Sequence, residues 1–201
     1  YIRFGASSGT LATPPIQALS NAAYYDIRFD GNESLAGPPY LGSALAFGDF
    51  DGDGKADLAM GETHGGGSNL GRVYVRFGDA RASLTTPQTQ GLSNSSYYDI
   101  RYDAAATQSH LGKALSFGDW NADGKDDLAI GDSQADFGGS NTGSVYVKFG
   151  DTKATLTATK NRSLSSSSHY NVRFDGHRYS HYLGAGLAHG DANGDGVADL
   201  I

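Results

Sequence analysis

Apolar and polar residues alternate with a period of two along short stretches of this chain, and the stretches recur. Tyr1-Ile2-Arg3-Phe4-Gly5 puts Ile2 and Phe4 on one face of an extended segment and Tyr1 and Arg3 on the other. The stretch returns as Tyr74-Val75-Arg76-Phe77-Gly78 and as Tyr146-Val147-Lys148-Phe149-Gly150, a period of about 72 residues. A second alternating stretch occupies 24–30, 97–103 and 169–175. Its pattern places Tyr25, Ile27 and Phe29 and their copies inside, with Tyr24, Asp26, Arg28 and Asp30 pointing away. A third stretch, 41–48 with copies at 111–118 and 183–190, alternates Leu45 and Phe47 with Ala44 and Ala46, small on one side. A fourth is a short apolar run closed by glycine, Leu58-Ala59-Met60-Gly61 and Leu128-Ala129-Ile130-Gly131. Short Gly-bounded runs of this kind read as strands.

Between the third and fourth stretches lies Asp49-Phe50-Asp51-Gly52-Asp53-Gly54-Lys55-Ala56-Asp57. Carboxylates stand at positions 1, 3, 5 and 9 of a nine-residue loop, with glycine at position 6. Calcium takes six to eight oxygen ligands at about 2.3–2.6 Å, and Asp, Asn and backbone carbonyls supply them. The side chains of Asp49, Asp51, Asp53 and Asp57 and the carbonyl of Lys55 form one predicted shell. The loop returns twice. Asp119, Asn121, Asp123 and Asp127 with the Lys125 carbonyl make a second shell, and Asp191, Asn193, Asp195 and Asp199 with the Val197 carbonyl a third. An EF-hand would need helices on both sides and a Glu at position 12, where Met60 and Ile130 stand instead. The ion therefore staples a turn between two strands, and its expected role is structural: it offsets repulsion among carboxylates crowded into tight turns.

The expected architecture is all-β: β-propeller blades of four antiparallel strands with calcium-binding loops, present as a three-repeat segment. Residues 1–30 supply the third and fourth strands of a partial blade, 41–103 and 111–175 are complete blades, and 183–201 supplies the first two strands of another. Three repeats do not close a ring. The half-blade at 1–30 is therefore expected to be completed by strands equivalent to 183–201, from other repeats of the same or a neighbouring chain.

The net charge of −7 narrows the picture little, because ten of the 22 acidic residues are predicted loop ligands. There is no basic stripe for nucleic acid and no apolar run that would insert in a membrane. The absence of cysteine excludes disulfides and thiolate metal sites. Irregular calcium loops of repeat modules bind at about 10⁻⁴–10⁻³ M, an extracellular level, which points to an extracellular or cell-surface location.

Other motifs carry less. Gly5-Ala6-Ser7-Ser8-Gly9 matches a nucleophile elbow, but Thr10 to Pro15 forbid the helix that must follow Ser7. His64-Gly65-Gly66-Gly67 lies downstream of it, the reverse of the order an oxyanion hole requires, so no enzyme is expected. His177 and His181 have i,i+4 spacing without a helix to support it. His189 stands where the other copies carry Phe47 and Phe117, and is expected as a hydrogen-bonded buried imidazole. The Tyr/Arg stripe formed by Tyr1/Arg3, Tyr24/Arg28 and their copies reads as cross-strand pairing on an outer face, with a ligand surface as the alternative.

Phe47-Gly48-Asp49, the acidic loop, Asp57-Leu58-Ala59, a Gly-rich connector and Gly71-Arg72-Val73-Tyr74-Val75 together resemble the FG-GAP repeat of integrin α-subunit propellers and their bacterial relatives. The Gly-Ala-Pro of that repeat is Gly61-Glu62-Thr63 and Gly131-Asp132-Ser133 here. The resemblance implies the propeller fold and calcium binding. The function expected is a non-enzymatic, calcium-stabilised extracellular adhesion or scaffold module, with a protein or glycan as the candidate ligand. The alternatives are a lectin-like propeller using exposed Tyr, Trp120 and Asp, and a subunit of an extracellular fibre assembled through blade completion.

Overall fold

The structure, a computed structural model, describes residues 1–4, 19–31, 40–64, 70–106 and 108–201. Its strands in chain order are β1 (Arg28–Asp30), β2 (Leu41–Gly48), β3 (Asp57–Glu62), β4 (Arg72–Arg76), β5 (Thr89–Gly91), β6 (Ile100–Asp103), β7 (Leu111–Gly118), β8 (Asp127–Asp132), β9 (Ser144–Lys148), β10 (Asn161–Ser163), β11 (Val172–Asp175), β12 (His189–Gly190) and β13 (Asp199–Leu200). Among the described residues two short α-helices, α1 (Arg81–Leu84) and α2 (Lys153–Thr157), sit in the connectors after β4 and β9. The fold is all-β.

Strands β2, β3, β4 and β6 form one antiparallel sheet, and β7, β8, β9 and β11 form a second. Each begins with the same irregularity. The register slips between Leu41 and Leu45, and again between Leu111 and Ala114, where Gly42 and Gly112 take φ of +87° and +82°. Only glycine adopts such a φ without strain. The first two sheets pack face to face around Phe50, Val75, Phe77, Ile100, Leu115 and Phe117. They approach closely because glycine meets glycine. A Cβ on Gly61 would lie 2.1 Å from the Gly112 carbonyl oxygen, and one on Gly131 would lie 2.1 Å from that of Gly184. Among the described residues the sheets follow one another in chain order without closing a ring.

Four features depart from the sequence reading. First, the first sheet has a fifth strand. β10 pairs in parallel with β6, and β5 pairs in parallel with β1, so the connector of one repeat reaches back to the outer strand of the repeat before it. Arg162 of β10 is buried there; it donates to the Tyr102 hydroxyl at 3.0 Å, to the Thr159 carbonyl at 2.9 Å and to the Leu156 carbonyl. Second, Tyr74 and Tyr146 are not on an exposed stripe. Both are fully buried, because a sheet packed between two others loses both faces to the interior. Third, the outer strand is not buried alike in all copies: Tyr102 is inaccessible, while Phe174 is 52% exposed. Fourth, His189 is exposed, not buried, although its Nδ1 lies 3.2 Å from Ser116 Oγ.

Candidate metal loops

Each acidic loop joins the first strand of a sheet to the second, and each folds through the same set of hydrogen bonds. In the first loop Asp49 accepts the N–H of Asp53 at 3.0 Å and that of Gly54 at 2.9 Å. Asp51 also accepts from Asp53, at 3.1 Å, and Asp53 accepts the Lys55 N–H at 2.9 Å. In the second loop Asp119 takes Asp123 and Gly124, Asn121 takes Asp123, and Asp123 takes Lys125, all between 2.9 and 3.0 Å. The third follows suit, with Asp191 accepting from Asp195 and Gly196, Asn193 from Asp195, and Asp195 from Val197. Gly54, Gly124 and Gly196 take φ of +85°, +86° and +88°, which turns the chain back on itself.

The ninth residue closes each loop. Asp57, wholly buried, accepts the Phe50 N–H at 2.9 Å with one oxygen and the Gly78 N–H at 2.7 Å with the other. Asp127 does the same with Trp120 at 3.1 Å and Gly150 at 2.9 Å, and Asp199 accepts from Ala192 at 2.8 Å. Gly78 and Gly150 end the Tyr-x-Arg/Lys-Phe-Gly stretches. Their recurrence was visible in the sequence; their service to the loop was not, because it runs between segments 21 and 23 residues apart.

Among the described residues, three carboxylates converge in the first loop: oxygens of Asp49, Asp51 and Asp57 lie within 4.8 Å of one another. Two oxygens bound to one calcium ion at 2.3–2.6 Å stand at most about 5 Å apart, so this spacing fits one ion. Asp53 is not part of the group. Its carboxylate turns outward to Lys55 Nζ at 2.5 Å. In the second and third loops the third position is an amide, Asn121 or Asn193, which offers a neutral oxygen in place of a carboxylate. Lys55, Lys125 and Val197 hold the seventh position, each with its N–H on the fifth-position carboxylate.

The electrostatics carry the cost of this convergence. Burial and the nearby charges of Asp51 and Asp49 push the Asp57 carboxyl up to about 7. Asp51 is also raised, by burial and by Asp53, and Asp127 is raised by burial. Asp53, paired with Lys55, is lowered, as is Asp191 by the Gly196 N–H. A cation held among Asp49, Asp51 and Asp57 would offset both burial and mutual repulsion, and the donors are those a hard, oxygen-seeking ion takes.

The other candidates do not assemble a site. The outer arginines are paired along the strand, Arg28 with Asp30, Arg101 with Asp103 and Arg173 with Asp175, so the stripe is largely neutralised from within. His177 and His181 stack edge to face at 5.1 Å on the surface, and no third acidic or imidazole ligand joins them among the described residues. Residues 5–9, including Ser7, and residues 65–67 lie outside the described residues.

The model of the FG-GAP repeat matches residues 41–75 and 111–147. Rat phosphatidylinositol-glycan-specific phospholipase D is 31% identical over 169 residues, 81% of this chain and 18% of that protein. The bovine protein of the same name is 31% identical over 197 residues, 94% of this chain and 20% of that protein. Integrin alpha-PS2 of Drosophila melanogaster is 29% identical over 204 residues, 97% of this chain and 12% of that protein. The chain thus spans a fifth or less of the length of these relatives.

Proposed function

We propose that this chain, which carries two FG-GAP repeats and is an integrin-like repeat module, works as a calcium-stabilised, non-enzymatic scaffold or adhesion segment of an extracellular or cell-surface protein. The observation that carries the reading is the acidic loop itself, folded three times by one hydrogen-bond scheme, with three carboxylates of the first copy converging at ion-binding distance. The ligands are Asp49, Asp51, Asp57 and, once an ion draws it from Lys55, Asp53. In the other copies they are Asp119, Asn121, Asp123 and Asp127, and Asp191, Asn193, Asp195 and Asp199, with the carbonyls of Lys55, Lys125 and Val197 completing the shells.

The bound ion supplies positive charge at a turn that otherwise holds like charges together. The protein's own contribution is placement. Gly78 and Gly150 hold the ninth carboxylate against the strand that follows, and the loop N–H groups orient the first and third positions. The similarity to two phosphatidylinositol-glycan-specific phospholipases D covers only a fifth of each, and the part shared is built of these repeats, which supports a supporting rather than a catalytic role. The partner of the exposed Leu45 and Phe47 face is a further repeat of the same kind, since their counterparts Leu115 and Phe117 are covered by the sheet before them.

Thermal unfolding in calcium and in excess chelator tests the reading. An ion that binds only the folded state stabilises it by about 2.7 kcal/mol per site at a hundredfold excess over its dissociation constant. The expected result is a melting temperature several degrees higher in calcium, little changed by magnesium. Identical melting curves in calcium and chelator would overturn it.

A further inference from the structure

The three loops differ in how they are joined to one another. Asp126, at the eighth position of the second loop, reaches the first. Its carboxylate Oδ2 accepts the Asp49 N–H at 2.8 Å, and its own N–H donates to the Asp49 carbonyl at 2.9 Å. Beside this reciprocal pair, the Asp151 N–H donates to the Phe50 carbonyl at 3.2 Å. Gly48 leaves the space, for a Cβ there would stand 2.8 Å from Asp126 Oδ2 and 2.5 Å from Phe117 Cβ. The eighth position is Ala56 in the first loop and Ala198 in the third. Among the described residues, no hydrogen bond joins 191–199 to 119–127.

Asp49 is the first-position residue of its loop, and Asp126 stands between Lys125 and Asp127 of the next. An ion that takes the Asp49 carboxylate fixes the Asp49 backbone, and with it the two hydrogen bonds that hold residue 126. That orders the seventh and ninth positions of the second loop before its own ion arrives. We infer that Asp126 couples the first two loops, so that a cation in one raises the affinity of the other, while the third loop binds independently. The inference rests on the cation reading of the loops. The coupling is reciprocal, since each ion shifts the same shared backbone.

Trp120 provides the probe. It is the single tryptophan of the chain and sits at the second position of the second loop. Excitation selective for tryptophan therefore sensitises terbium(III), an oxygen-seeking stand-in for calcium, bound in that loop. It also sensitises terbium in the third loop, whose Ala198 and Asp199 line the same cavity as the indole, so the second-loop signal is the part that Asp119→Ala removes. Terbium is titrated into the wild-type chain, into Asp51→Ala, which disables the first loop, and into Asp195→Ala, which disables the third. Each is repeated on an Asp126→Ala background and an Asp126→Asn background. Asp51→Ala is expected to weaken second-loop binding about fivefold or more, within the usual range of such couplings. Asp195→Ala is expected to leave it unchanged. Asp126→Ala, which removes the carboxylate bond and leaves the backbone bond to the Asp49 carbonyl, should sharply reduce the effect of Asp51→Ala. Asp126→Asn, which keeps an accepting oxygen, should retain more of it. If Asp126→Ala does not fold, Ala198→Asp serves instead: a carboxylate planted at the third loop's eighth position should make the second loop sensitive to Asp195→Ala. Equal effects of Asp51→Ala and Asp195→Ala, or an Asp51→Ala effect undiminished by Asp126→Ala, would overturn the coupling while leaving the loops as cation sites. No sensitised emission from the wild-type chain would overturn the cation reading and the coupling with it.

Discussion

Strands β2 and β7 are copies of one another, down to Leu45 with Leu115 and Phe47 with Phe117, yet they live in different surroundings. Leu45 and Phe47 are 58% and 59% exposed, whereas Leu115 and Phe117 are 8% and 2% exposed. Both strands make the same antiparallel pairing with the strand that follows, and both carry the same glycine bulge. Local structure therefore follows from the repeat itself. Burial follows from the neighbour, and β7 has the sheet of β2, β3, β4 and β6 against it. A side chain's contribution to stability in this molecule depends on which copy it belongs to.

The sharpest way to break the comparison is truncation at matched positions. Phe117→Ala removes a ring that packs edge to face on Phe50 at 5.7 Å, and is expected to cost about 3–5 kcal/mol in denaturant-induced unfolding. Phe47→Ala should cost under about 1 kcal/mol, since most of that ring is already in water. Equal losses would show that the open face of β2 is covered in solution.

The glycines that end β2 and its third copy, β12, give a second, smaller contrast. A Cβ on Gly48 would meet Phe117 at 2.5 Å, while nothing lies within 4 Å of one on Gly190. Gly48→Ala is expected to cost about 2–3 kcal/mol through overpacking, and Gly190→Ala to stay within about 0.5 kcal/mol, read by the same unfolding curves.

The smallest effect separates the loops by pH. In the metal-free chain the Asp57 carboxyl is raised above its ordinary value, to about 7, so the folded state holds this proton more tightly than the unfolded state. The stabilisation it brings is complete below pH about 4 and is lost as the pH rises through about 7. Asp191 is lowered, and its contribution runs the other way, lost as the pH falls through its folded-state value. In chelator, melting temperature should fall by a few degrees between pH 4.5 and 8, a loss of about 1–2 kcal/mol, and Asp57→Asn should flatten that fall. In calcium the trend should reverse, because the ion needs the carboxylate deprotonated.

Much of this fold was legible in the sequence where one segment decides its own structure. Alternation in 41–48, 72–76 and 100–103 marks strands, and the acidic loop announces its turn through glycine and Asx residues at fixed spacing. What stayed hidden depends on a second segment. Thr89–Gly91 and Asn161–Ser163 show no strand pattern of their own, and they are extended because β1 and β6 present a free edge. The recurring Leu92 and Leu164 just beyond them, each 1% exposed, were the available signal. Period-two alternation assumes one wet face, so it misplaced Tyr74 and Tyr146 between stacked sheets. It also misjudged Phe174 and His189, which the described residues leave uncovered. Within the loops, the spacing of the acidic and glycine residues was readable, whereas the outward turn of Asp53 to Lys55 and the reach of Asp126 to Asp49 were not.

The parallel pairing of β10 with β6 has a consequence for how the chain is made. Residues 100–103 leave the ribosome about sixty residues ahead of 161–163, which complete their edge. Until then the first sheet presents unpaired N–H and C=O groups along Arg101–Asp103, a template for any extended strand nearby. Arg162 arrives with the closing segment and seats on Tyr102 and the carbonyl end of α2. Each repeat is thus sealed by its successor, so synthesis from the N-terminus imposes an order of assembly in which the newest repeat is always the one left open.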